Sequence, residues 1–141
     1  MPSGKNLTKA ASSQAAPPRV RRVLIVDDDR DTVLTLSALL REEGYETKGV
    51  YDGHEAIRAV DDFDPDAVLL DIAMPGMTGW DVARQIRSSR PSGEKRPFLI
   101  GISGEYTKSA DRILGEIAGF QHYFYKPFDP KLLLTLLAKL N

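Results

Sequence analysis

Three short stretches of this chain are apolar without interruption, and each runs directly into acidic or hydroxyl residues. They are RVLIV at 22–26, AVLL at 67–70 and FLIGIS at 98–103. A strand with one solvated face alternates apolar and polar residues, whereas an unbroken run fits a strand covered on both faces, as in a parallel sheet. Two further runs, at 46–51 and 122–125, complete the set; the first is more polar and suits a sheet edge. Helical patterns lie between them. Val33, Leu36, Leu39 and Leu40 form a stripe that stops at Gly44, and Val82, Ala83 and Ile86 form another that ends near Pro91. Residues 111–118 end at Gly119 in the same way, and Leu133, Leu136, Leu137 and Leu140 recur at helical spacing in 130–140. This alternation predicts an α/β fold, a doubly wound five-stranded parallel sheet with helices on both faces, joined by right-handed crossovers.

In such a sheet the residues just past the strand C-termini meet at one edge, where these folds bind ligands. Asp27, Asp28 and Asp29 follow the first run and Asp71 follows the third. Ser103 and Gly104 stand at the end of the fourth, and Lys126, then Pro127, at the end of the fifth. Any one of these residues is ordinary in a solvated loop, but four strand ends supplying one edge point to a site. Clustered carboxylates repel and require a cation, and an all-oxygen set favours Mg²⁺ or Mn²⁺ over zinc. The hydroxyl and the ammonium can hold the remaining oxygens of a phosphoryl group. An aspartate that attacks phosphorus forms an acyl phosphate.

Composition narrows the alternatives. At 141 residues the chain has the length of one domain. Residues 1–20, rich in Ser, Ala, Lys and Pro, read as a flexible tail, and 21–141 as the domain. A formal charge of -1 gives no global basic field to recruit nucleic acid, and the lack of cysteine excludes thiolate chemistry. No segment reaches the roughly 18 apolar residues of a membrane span, and no secretory signal is evident, so the expected address is the cytoplasm. His54 and His122 lack ligand-spaced partners and read as exposed or structural. Trp80 is expected to pack at the start of a helix beside the site, and Met74 and Met77 within a loop. No GxGxxG or P-loop lysine motif is present.

The ordered set VLIVDDD (23–29), VLLDIAMPGMTG (68–79), IGISG (100–104) and YKPF (125–128) resembles the receiver domain of two-component response regulators, which have a flavodoxin-like fold. The resemblance covers about residue 21 to residue 141. It implies that Asp71 is the phosphoacceptor, forming an aspartyl phosphate. It also implies Asp28, Asp71 and the backbone carbonyl of Ala73 as Mg²⁺ ligands, with Asp27 supporting the metal through water or from one layer out. Ser103 would contact a phosphoryl oxygen, Lys126 would be the ion-pairing lysine and Tyr123 the switching aromatic. Asp29 would then open the first helix, favoured by its dipole. Thr78 replaces the acid common before Gly79, and Gly104 the usual alanine; neither change removes a reacting atom. SGEY at 103–106 is more similar to receivers attached to hybrid histidine kinases than to those of transcription factors.

The function implied is phosphoryl acceptance from a sensor histidine kinase or histidine phosphotransfer protein, with autodephosphorylation but no turnover of an outside substrate. Phosphate would draw Ser103 inward and let Tyr123 occupy the space vacated, altering a surface that binds a downstream protein. No nucleic-acid or membrane partner is expected. The alternative is a Mg²⁺-dependent phosphatase with an aspartyl-phosphate intermediate. Such enzymes commonly carry a second acid two residues after the nucleophile, where this chain has Ala73. A flavodoxin-like cofactor binder is disfavoured because an acidic edge repels phosphate unless a metal intervenes. The last helix has a wide apolar arc, and Leu134, or failing that Leu132, is expected at its surface, in contact with a partner or a second copy.

Overall fold

The computed structural model describes residues 20–90, 95–104 and 118–140. The tail expected over residues 1–20 lies outside them except for Val20, and the helix expected over 111–118 except for Ala118. The described elements are β1 (Arg22–Val26), α1 (Arg30–Glu42), β2 (Glu46–Val50), α2 (Gly53–Phe63), β3 (Ala67–Asp71), α3 (Gly79–Ser88), β4 (Phe98–Ser103), β5 (His122–Tyr125) and α4 (Pro130–Lys139). The strands form one sheet in the order β2-β1-β3-β4-β5, and every neighbouring pair is parallel.

The three unbroken apolar runs are the three central strands, and the polar run at 46–51 is an edge, as its composition requires. Alternate residues of each central strand face opposite layers. Leu24, Val26, Val68, Leu70 and Leu99 join α2 and α3 on one side. Val23, Ile25, Ala67, Leu69, Ile100 and Ile102 join α1 and α4 on the other. Burial of each such aliphatic side chain contributes about 1.5–3 kcal/mol, so both faces are needed to hold the sheet. Val20, placed in the tail by the sequence reading, is only 5% exposed and packs into the second layer, so the folded unit includes it.

The helix signals act locally. Gly44 (φ +96) follows α1, where its N–H and that of Tyr45 bond back to Arg41 and Leu40 carbonyls and close the helix. Thr78 caps α3 through a reciprocal pair with Asp81, and Asp129 caps α4 ahead of Pro130. Helix α2, not named among the sequence stripes, has a buried face built from Ala56, Ala59 and Val60. Its signal was the cap, where the Asp52 carboxylate accepts from the Glu55 N–H at 2.8 Å. On α4, Leu133 and Leu137 are fully buried, Leu134 leans on the core, and Leu132 is 55% exposed. The order of expectation is therefore reversed, with Leu132 at the surface and Leu134 against the core.

Candidate functional site

The strand order reverses between β1 and β3: α1 leaves on one face of the sheet and α3 on the other, which opens a crevice between the two strand ends. Asp27 stands immediately after β1 and Asp71 is the last residue of β3, each almost completely buried, while Asp28 is exposed. One carboxylate oxygen from each of the three lies within 4.8 Å of the others. From the end of β5, the Lys126 ammonium reaches to 3.4 Å from Asp71 Oδ1 and 3.5 Å from Asp27 Oδ2. The Lys126 N–H donates to the Ser103 carbonyl at 2.7 Å, which ties the fifth strand end to the fourth. Ser103 is buried beside them, and Ala73 lies exposed in the turn after β3. Sequence reasoning thus placed Asp27, Asp28, Asp71, Ser103 and Lys126 at one edge, and the fold brings them there.

The three consecutive acids have separate tasks. The Asp29 carboxylate accepts from the Asp31 N–H and the Thr32 hydroxyl, both at 3.0 Å, and caps α1. Asp27 accepts the Asp29 N–H on Oδ1 at 2.9 Å and presents Oδ2 to Lys126. Asp29 is thereby consumed by helix formation, leaving Asp27 and Asp28 for the site.

Electrostatics follow from burial. Desolvation, and then the charge of Asp27, push the Asp71 carboxyl up from 3.8 to about 7 against the opposing pull of Lys126. Burial acts to lower the Lys126 ammonium, but Asp71 and Asp27 outweigh it and hold it above its ordinary value. Three carboxylates and one ammonium leave the crevice short of positive charge. The donors are all oxygen and hard, so the residues present fit Mg²⁺ or Mn²⁺.

The backbone under Asp71 is held by α3. The Gly79 N–H donates to the Ile72 carbonyl at 2.9 Å. A β-carbon at residue 79 would lie 2.5 Å from the Asp71 carbonyl oxygen and 2.8 Å from Ile72 Cα. Only glycine lets the helix start this close. Gly79→Ala is therefore expected to cost about 1–3 kcal/mol of stability and to weaken Mg²⁺ binding by displacing Asp71. Urea unfolding and a Mg²⁺ titration check it; an unchanged midpoint and affinity would contradict the packing argument.

Other expected residues lie outside the crevice. His54 and His122 are exposed, and His122 packs edge-on to Phe124. Met74 is buried in the core, with Met77 packed against it. Trp80 opens α3 as expected, but its indole N–H donates to the Tyr123 hydroxyl at 3.1 Å, a link the sequence did not disclose. A 410 Å³ depression beside Lys126 is bounded by Thr32 and Thr35 of α1 and by Pro127 and Phe128. A larger one, of 740 Å³, lies at the opposite edge, where Arg87 braces the Pro97 and Gly119 carbonyls and Gln121.

A family model described as the response regulator receiver domain matches residues 23–138. Among curated proteins, the DNA-binding response regulator MtrA of Mycolicibacterium paratuberculosis is 40% identical over 115 residues, covering 82% of this chain and 48% of that protein. The chain spans about half the length of the curated relatives it matches, and DNA binding is named for those proteins. Among solved structures, the Vibrio cholerae chemotaxis protein CheY4 superposes with a TM-score of 0.77 at 28% identity, covering 86% of this chain and 99% of that one. A signal receiver domain from Bermanella marisrubri gives 0.75 at 28% identity, covering 84% and 96%.

Proposed function

This chain belongs to the response regulator receiver domain family of two-component signalling, and we propose that Asp71 is the residue on which it takes up a phosphoryl group. The observation that carries the reading is the crevice itself: two buried carboxylates, Asp27 and Asp71, facing the ammonium of Lys126. In the transfer, an Asp71 carboxylate oxygen forms a bond to phosphorus while the bond from phosphorus to a donor histidine nitrogen breaks. The electron pair stays on the donor nitrogen, so the imidazole leaves neutral when its other ring nitrogen carries a proton, and otherwise the leaving nitrogen takes a proton from solvent. Lys126 neutralises charge on the phosphoryl oxygens, and the Ser103 hydroxyl donates to one of them. Asp28, Asp71 and the Ala73 carbonyl would hold Mg²⁺, with Asp27 one layer out, and the ion would supply the remaining positive charge.

The donor is a phosphohistidine on a sensor kinase or phosphotransfer protein. The depression between α1 and the Pro127–Phe128 turn, opening beside Lys126, offers it an approach. Receiver domains of this family act with such a kinase and a downstream effector, in the cytoplasm, and the unit performing this runs over residues 20–141, one residue more than the sequence reading gave it. Ser103 and Tyr123 carry the response to the effector surface. Any self-association through the last helix would use Leu132, the exposed leucine of α4. DNA binding is not assigned to this part.

Stoichiometry tests the reading. Acetyl phosphate with Mg²⁺ should add one phosphoryl group per chain, read by intact mass and lost slowly by hydrolysis. Rapid multiple turnovers of a simple phosphate ester would instead make the chain a phosphatase.

A further inference from the structure

Tyr123 has a built seat. Its ring lies over Gly101 of β4, where a β-carbon would stand 2.6 Å from Cε1 and 2.8 Å from Cδ1. The ring of Phe120 packs against it with centroids 5.1 Å apart. At the far end, the phenol oxygen accepts the indole N–H of Trp80 at 3.1 Å. Trp80 is the residue after Gly79, whose backbone rests on the Asp71 carbonyl. Contacts therefore run from the Asp71 backbone through Gly79 and Trp80 to Tyr123, by a route separate from Ser103 and β4.

We infer that Trp80 is a positioning residue, holding Tyr123 in the seat that Gly101 leaves open and coupling it to the backbone of Asp71 through the first turn of α3. This rests on the reading of Asp71 as phosphoacceptor and Tyr123 as the switching aromatic, and adds the residue that sets where the switch stands. A hydrogen bond in a partly buried setting changes the ratio of seated to unseated ring by about two- to tenfold. Loss of the indole donor should move the resting ring outward without touching the transfer chemistry.

Trp80 is the sole tryptophan of the chain, so its fluorescence reads the contact directly. The full chain is compared as wild type, Tyr123→Phe and Gly101→Ala, with and without beryllofluoride and Mg²⁺ as a stable phosphoryl mimic. Tyr123→Phe removes the acceptor and keeps the ring; Gly101→Ala keeps both aromatics and fills the seat. Both should shift the resting emission in the same direction and at least halve the response to the mimic. Trp80→Phe should still take one phosphoryl group from acetyl phosphate, with the ¹⁹F resonance of labelled Tyr123 displaced. Resting emission and mimic response unchanged in Tyr123→Phe would overturn the inference, and that variant keeps the test decisive if Gly101→Ala does not fold. Uptake of phosphate is read separately by mass. Failure of the wild type to take any would overturn the phosphoacceptor reading, while the resting emission of the variants still decides the seating of Tyr123.

Discussion

Asp71→Asn is expected to abolish phosphoryl uptake from acetyl phosphate, and chelation of Mg²⁺ is expected to do the same to the wild type. The substitution keeps the size of the side chain but removes the oxygen nucleophile, because a neutral amide does not attack phosphorus. Two other carboxylates stand within the same 4.8 Å cluster, so the prediction is not trivial. Asp27 is poorly placed to replace Asp71, since one of its oxygens accepts the Asp29 N–H and the other faces Lys126. Asp28 is exposed, and a carboxylate surrounded by water is not held in line with a donor. Lys126→Met should behave differently: it leaves the nucleophile and removes one stabilising charge, slowing uptake by about 10²–10³-fold without changing its end point. Intact mass followed by peptide mapping decides both. A phosphoryl group found on Asp27 or Asp28 of the Asp71→Asn protein would move the acceptor.

The parts of this site that were legible in the sequence are those set by short-range rules. Apolar runs 22–26, 67–70 and 98–103 announced buried strands, and the residue at the end of each strand must reach the same edge of a parallel sheet. The role of Asp29 was legible too: the apolar run ends at Val26, which leaves Asp27 and Asp28 at the strand end and Asp29 to open α1, where its carboxylate caps the helix. What was not legible depends on contacts between distant segments. Trp80 and Tyr123 are 43 residues apart, and nothing in either neighbourhood marks the hydrogen bond between them. Gly101 sat inside an apolar run read as continuous, and nothing in that run marked it as the seat for a ring. Leu132 and Leu134 flank the same stripe, and only the position of α4 against the sheet decides which of them faces solvent. Helix α2 is not among the stripes named from the sequence, although its buried face of Ala56, Ala59 and Val60 recurs at helical spacing.

The same crevice predicts an unusual pH dependence of stability in the absence of divalent metal. Asp71 titrates at about 7 in the folded chain and near its ordinary 3.8 when unfolded, raised first by burial and then by Asp27. Between about pH 4 and 7 the folded state therefore holds a proton that the unfolded state has released, so stability falls as pH rises through this window. The full difference corresponds to about 4 kcal/mol, and screening by Lys126 and by water at the open edge reduces the expected loss to about 1–2 kcal/mol. Asp71→Asn has no such proton to lose. In EDTA it should be more stable than the wild type at pH 8 by about 1–2 kcal/mol and nearly equal to it at pH 5. Comparing the two proteins cancels the contributions of every other titratable group they share. Added Mg²⁺ should reverse the order, because a cation at one hundred times its dissociation constant stabilises the wild type by about 2.7 kcal/mol and has one ligand fewer in the variant. Urea unfolding at the two pH values, with and without Mg²⁺, gives all four numbers. If the metal-free wild type matched Asp71→Asn at pH 8, the two buried carboxylates would not be straining the fold. The electrostatic conflict that makes the metal-free crevice a weak point is the one a bound cation would relieve.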